Sequence, residues 1–223
     1  MAANPAGPRI TYYNDATGER IELSTATLAN WAAKTANLLR DELGAGPGSR
    51  VAVLLPAHWQ TAAVLFGVWW IGCEVVLDGS EADIALCTED RLDEAGAAVG
   101  MGEIAVLSLD PFGKSVPDLP LGVTDYATSV RVHGDQIVPE RNPGAALDGR
   151  SVADVLSAAR ASASAQGLTA ADRIMSTTGW AIADDLIERL LAPYVVGASL
   201  VQVANPDPGL LDRRREAERS TRG

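Results

Sequence analysis

Residues 51–78, VAVLLPAHWQTAAVLFGVWWIGCEVVLD, decide the fold. VAVLLP is a β-branched apolar run of strand length, closed by Pro56. HWQTAAVLFGVWWIG then predicts a helix that is apolar nearly all round, as a helix buried between a sheet and other elements must be. EVVLD follows as a second short strand. A strand, a crossover helix and a strand in so few residues imply parallel pairing.

The same alternation extends in both directions. Upstream, Ser24 stands where a helix cap is needed. Leu28, Trp31, Ala32, Thr35, Leu38 and Leu39 keep the three-and-four spacing of one helical face, with Gly44 as the stop. Downstream, DIALC and EIAVLSL predict strands flanking the helix EDRLDEAGAAV. Residues 110–149 lose all periodicity, because five prolines and several glycines interrupt them; the expectation is an irregular connection or a set of short edge strands. Order returns with the helix SVADVLSAARASASAQG, the strand DRIMST, the helix IADDLIERLLAPYVVG and the strand ASLVQV. The expected fold is α/β: a doubly wound, mostly parallel sheet with helices on both faces, as a single domain over residues 1–204. Residues 205–223 form a charged C-terminal tail, and its alternating signs around Arg213, Arg214 and Arg215 predict a solvated or frayed helix.

Composition narrows the function. With 223 residues, 47% hydrophobic and 21% charged, the chain can bury a full core, which excludes disordered and fibrous classes. A net charge of −11 repels phosphate backbones and anionic lipid, so neither nucleic acid nor a membrane surface is an expected partner. The start MAANPAGPR lacks a basic region followed by an apolar stretch, and the apolar run 62–73 is too short to span a bilayer. Two cysteines, Cys73 and Cys87, fit a reducing compartment, and the expected location is cytoplasmic.

Four local patterns imitate chemistry and are set aside. GAGPG at 44–48 follows a helix and precedes a strand, the reverse of a dinucleotide turn. SLDPFGKS at 108–115 ends like a phosphate loop, but Ser108 replaces its first glycine and Asp110 adds negative charge. His58 and His133 lack the ligand spacing of a closed metal site, so no metal is expected. Trp69 and Trp70 could wall a ligand pocket, although core or interface packing is the simpler role for two tryptophans on an apolar helix.

LSTATLANWAAKTANLLRDELGAGPGSRVAVLLP (23–56), QTAAVLFGVWWIGCEVV (60–76), GLTAADRIMSTTGW (167–180) and LLAPYVVGASLVQV (190–203), in that order, resemble the N-terminal part of the AMP-dependent synthetase family. These are the acyl-adenylate-forming enzymes, which include acyl-CoA synthetases. YYNDATGER, PAHWQTAAVL and RVHGDQ bring the chain nearest to a short actinobacterial group of synthetase-like proteins. The resemblance implies the first subdomain of those enzymes, and also a Ser/Thr/Gly-rich loop ending in Pro-Lys directly before the SVADVLSAAR helix, where it would hold ATP phosphates. That region here reads GDQIVPERNPGAALDGR. The family's later adenylate motif, ribose-binding aspartate and C-terminal lysine have no counterpart in the sequence, and Lys34 and Lys114 stand too early to replace the lysine.

The expected function is therefore an acyl-CoA synthetase-like protein without autonomous adenylation activity, a pseudoenzyme acting as a binding or assembly subunit. The alternative is the acyl-pocket half of a split ligase completed by a partner chain. A protein partner or a second copy is expected on the face left by the missing subdomains. No residue is assigned a catalytic, cofactor-binding or metal-ligating role, and no cofactor is expected. Ligand-pocket candidates are Thr177, Thr178, Gly179 and Trp180, which follow the DRIMST strand where open α/β sheets bind ligands, together with Trp69 and Trp70.

Overall fold

The computed structural model describes residues 5–223, so residues 1–4, the opening of the stretch read above for a leader, lie outside the described residues. In chain order the elements are β1 (Pro8–Asn14), β2 (Glu19–Ser24), α1 (Thr25–Asp41), β3 (Arg50–Leu54), α2 (Trp59–Trp70), β4 (Glu74–Val76), β5 (Ile84–Cys87), α3 (Leu92–Val99) and β6 (Glu103–Val106). They continue with β7 (Val123–Asp125), α4 (Tyr126–Ser129), β8 (Ala145–Leu147), β9 (Arg150–Ser151), α5 (Val152–Ala165), β10 (Arg173–Ser176), α6 (Ala183–Leu186), α7 (Ala192–Val195), β11 (Ser199–Ala204) and α8 (Pro208–Glu218). A π-helical turn, Ile187–Leu191, joins α6 to α7 in one helical run.

The chain divides into two compact units, each with its own mostly parallel sheet. One takes residues up to Leu28, Ala57–Trp59 and Ala153–Gly223; the other takes Ala29–Pro56 and Gln60–Val152.

The second unit is built on seven strands in the order β7-β6-β5-β3-β4-β8-β9, all parallel except the last pair. Ala52, Leu54, Ala85, Cys87 and Val106 pack with Ala95, Ala98 and Val99 of α3. Val51, Val53 and Leu86, on the opposite pleat, are equally buried, so both sheet faces are covered. This is why the strands read as unbroken apolar runs. The proline-rich stretch adds β7 to one edge and β8–β9 to the other. Within this unit α1 and α2 meet at Gly67: a Cβ there would stand 2.9 Å from both the Ala32 carbonyl oxygen and the Thr35 Cβ. The hydrogen atom of glycine is what lets the two helices touch.

The first unit holds four strands in the order β10-β11-β1-β2. β1 and β2 form an antiparallel hairpin, and β1 adds in parallel to β11. Ser24 caps α1 as its position required, its Oγ accepting from the Thr27 amide at 3.1 Å. Ala163, Ile174, Ala192 and Ala198 form a core on one side, while Tyr13, Met175, Val201 and Val203 pack on the other, where Leu211 of α8 joins them.

The C-terminal segment departs from a frayed tail. Asp207 caps α8 by accepting from the Gly209 amide at 2.8 Å, and Pro208 opens the helix. Glu218 is only 8% exposed. It accepts from Tyr13 Oη, from Arg20 Nη2 at 2.9 Å and from Arg173 Nη2 at 2.5 Å. Beyond it, Thr221 donates to the Arg173 carbonyl at 2.8 Å and the Arg222 carbonyl accepts from the Met175 amide at 2.9 Å, which closes the β10 edge. Arg214, Glu218 and Arg222 are spent on pairing, while Asp212, Arg213, Glu216 and Arg219 remain exposed to solvent. Among the described residues no helix is long and apolar enough to cross a membrane.

The Gly67 contact yields a stability prediction. Gly67→Ala should destabilise the protein by about 1–3 kcal/mol, the usual result of forcing a methyl into a closed helix crossing. Urea denaturation should show a lower midpoint with an unchanged slope. Gly96→Ala should cause no such loss, because a Cβ at Gly96 meets nothing within 4 Å.

Candidate functional site

The region that should cradle phosphates is a hairpin. β8 and β9 pair antiparallel, and Asp148 and Gly149 make the two-residue turn between them, with φ of 45° and 78°. Asp-Gly is a favoured pair for two successive left-handed residues, because glycine has no side chain to clash and aspartate tolerates the region. An Asp-Gly between short apolar runs carries that hairpin signal in the sequence itself.

The turn's amides are occupied. Gly149 donates to Glu74 Oε1 at 2.5 Å, and Asp148 donates to the Val75 carbonyl at 3.0 Å. In return Asp148 Oδ1 accepts from the Leu77 amide at 3.3 Å. Glu74 is 9% exposed, with Arg50 Nε 3.5 Å from its Oε2. Burial pushes the Asp148 carboxyl up; the Leu77 amide opposes this, while the neighbouring Asp78 and Glu74 carboxylates add to it. Upstream, Pro139 and Pro143 bring no amide hydrogen, and the Glu140 amide is spent on the Trp70 carbonyl at 2.7 Å.

The predicted pocket residues fall in different units. Thr177 and Thr178 line a cavity of about 420 Å³ at the C-terminal end of β10, together with Met175, Arg189, Arg222 and Gly223. The Thr178 amide donates to Ser176 Oγ at 3.2 Å, and the Thr178 carbonyl accepts from Gln202 Nε2 at 3.1 Å. Trp180 turns inward, 3% exposed, and its indole nitrogen has no acceptor among the described residues. A Cβ at Gly179 would meet nothing within 4 Å. Trp69 and Trp70 belong to the other unit: Trp69 donates to the Ala146 carbonyl at 2.7 Å and stacks edge-on to Phe66 at 5.7 Å.

Lys34 donates to the carbonyls of Arg131 and His133 at 3.3 and 2.5 Å, fastening the 131–133 segment to α1. In SLDPFGKS, Asp110 Oδ1 accepts from the amides of Phe112 and Lys114 at 2.8 and 3.2 Å, so this loop is closed on itself. His133 Nε2 lies 3.1 Å from Glu42, and the buried His58 lies 3.7 Å from Glu19 and 4.3 Å from the Tyr12 ring centre.

Comparison with known proteins gives the geometry its lineage. A protein of Mycobacterium tuberculosis described as a "TIGR03089 family protein" is 69% identical over 226 residues, covering all of this chain and 93% of the relative. The chain belongs to the TIGR03089 family. The family model "AMP-binding enzyme" matches residues 2–82. Among solved structures, an acyl-CoA synthetase of Brucella canis matches with a TM-score of 0.80 at 17% identity, over 99% of this chain and 44% of that one. A benzoate CoA ligase of Burkholderia xenovorans matches with a TM-score of 0.75 at 17% identity, over 99% of this chain and 47% of that one. At such identities the structural matches establish the fold alone, and this TIGR03089 chain spans under half the length of the enzymes it resembles.

The buried His58 sets a pH dependence. Burial holds its imidazole below the ordinary value of 6.5, against the opposing pull of Glu19. The unfolded chain then binds more protons below that value, so stability should fall as pH drops beneath about 6.5. Thermal melts of the wild type from pH 7.5 to 5 should show this decline, with a shallower slope in His58→Gln. Identical slopes would remove His58 as the cause.

Proposed function

We propose that this protein is a non-adenylating branch of the synthetase scaffold, a pseudoenzyme that serves as a binding or assembly subunit in the cytoplasm. The observation that carries the reading is the Asp148–Gly149 turn, whose glycine amide is held by the Glu74 carboxylate. A phosphate loop functions by offering unclaimed amides and a cation. This turn offers two carboxylates instead. At about 4 Å, each pair of like unit charges costs about 4 kcal/mol at a surface-like effective dielectric, and a triphosphate brings several such charges. The residues present therefore do not fit an ATP phosphate cradle.

Met101, Phe112, Leu121, Val132 and Val138 are strongly exposed in one unit, and an assembly role would give them a surface to meet. Both cysteines are free and buried, in keeping with a reducing compartment. The partner is another protein chain or a second copy of this one.

The test is direct. Purified protein incubated with ATP, magnesium and a panel of carboxylic acids should release no pyrophosphate above buffer. Robust release by the lone chain would overturn the reading. Release that appears only with a co-purifying chain bearing a phosphate loop and a late lysine would establish the split ligase instead.

A further inference from the structure

A second cavity, of about 710 Å³, opens in the first unit at the opposite end of its parallel strands. Pro8 and Arg9 begin β1, Arg173 begins β10 and Ser199 begins β11, and all of them line it. The candidate residues Thr177–Trp180 sit at the other strand ends, so this cavity is separate from the site where the sheet topology places a ligand. Its volume lies in the range of small-molecule sites.

Its chemistry is set by a charge without a counterion. Arg9 is 7% exposed. Its Nε donates to Thr25 Oγ1 at 3.2 Å, its Nη1 donates to the Ala198 carbonyl at 2.8 Å, and its guanidinium lies 5.3 Å from the Tyr194 ring centre. Among the described residues no ion pair with a carboxylate is made by Arg9, whose hydrogen bonds go to a hydroxyl and a carbonyl. A carbonyl and a ring offset only part of the cost of burying a cation. The two acids in the cavity wall are already spent. Asp172 accepts from Thr169, from Thr221 and from Arg222, which holds its carboxyl down at about 2. Glu218 is enclosed by Tyr13, Arg20 and Arg173. Arg173 in the same wall is committed to Glu218, and Arg219, exposed there, adds a third positive group.

The ligand's charge and shape follow. Two helical runs, α8 and the run ending in α7, finish at this cavity with their carbonyl ends, which oppose negative charge, so an anion must be held by Arg9 directly and each added negative charge is further disfavoured. Ala170, Ala171, Val195 and Val196 supply an apolar wall. We propose that this cavity binds a small organic monocarboxylate, its charged end on Arg9 and its apolar body against Ala171 and Val196. Thr25 and Ser199 hydroxyls stand in the same wall as further donors. The assignment is independent of whether the chain adenylates.

The probe is hexanoate titrated into the full chain by calorimetry, with butyrate and inorganic phosphate as comparisons. Hexanoate should bind saturably at one site per chain, more tightly than butyrate, and phosphate should not displace it. Arg9→Gln should weaken binding at least tenfold with the far-ultraviolet circular dichroism unchanged. Ala171→Leu, which fills the cavity without touching Arg9, should weaken it several-fold. Absence of saturable hexanoate binding, or displacement by equimolar phosphate, would overturn the proposal. So would wild-type affinity in Arg9→Gln. Should Arg9→Gln fail to fold, wild-type affinity in Ala171→Leu overturns it instead.

Discussion

The Glu74 carboxylate accepting from the Gly149 amide is the contact on which the functional reading rests. It does two things at once. Structurally it ties β4 to the β8–β9 turn, where the ladder is short: β4 and β8 share a single registered pair, Val75 with Leu147. Chemically it sets a carboxylate of the protein itself against the glycine amide of the turn. A charge-assisted bond of this length is among the stronger hydrogen bonds a protein makes. An incoming phosphate would have to break it and then remain beside the displaced carboxylate. The same bond that completes the sheet edge thus keeps the Gly149 amide engaged within the protein.

Much of the seven-stranded unit was legible in sequence because its signals are local. VAVLLP, EVVLD, DIALC and EIAVLSL are short apolar runs with β-branched residues, and burial on both faces makes such runs unmistakable. The four-stranded unit was harder to read. PRITYYN and ERIELS are polar in part because β2 is a sheet edge with exposed Arg20 and Glu22 flanks, and the hairpin joins β11 across nearly 200 residues of sequence. No window of sequence contains that pairing. The tail's helix and its exposed charges were legible, but the contacts that anchor it were not, for the same reason. Arg214 pairs with Asp15, and Glu218 is buried beside Tyr13, partners that local charge patterning cannot reveal.

The pocket candidates show the same division. Placing Thr177 and Thr178 at a strand's C-terminal end followed from topology, and they line a cavity there. Trp180, two residues further on, is instead packed inward. Whether a tryptophan faces solvent or core after a strand depends on what covers that strand. The Gln202 amide holding the Thr178 carbonyl contributes to that outcome from β11. The Asp-Gly turn, by contrast, is encoded locally: an Asp-Gly pair between two short apolar runs is a hairpin signal in its own right.

The arginines show how charge is arranged in an acidic chain. Arg20 and Arg173 serve Glu218, Arg214 serves Asp15, and Arg222 serves Asp172. Each of these neutralises a carboxylate in the same four-stranded unit, and together they fasten the C-terminal segment to β1, β2 and β10. Arg9 alone among them is buried against a carbonyl and a ring with no acid beside it. In a chain with eleven excess negative charges, acids were available to evolution as partners. Among the described residues Arg9 is held by a hydroxyl, a carbonyl and a ring, none of which cancels its charge. The strand N-terminal end is therefore the end of this sheet where charge still awaits a partner, while at the Asp148–Gly149 turn of the other sheet the protein has already supplied its own.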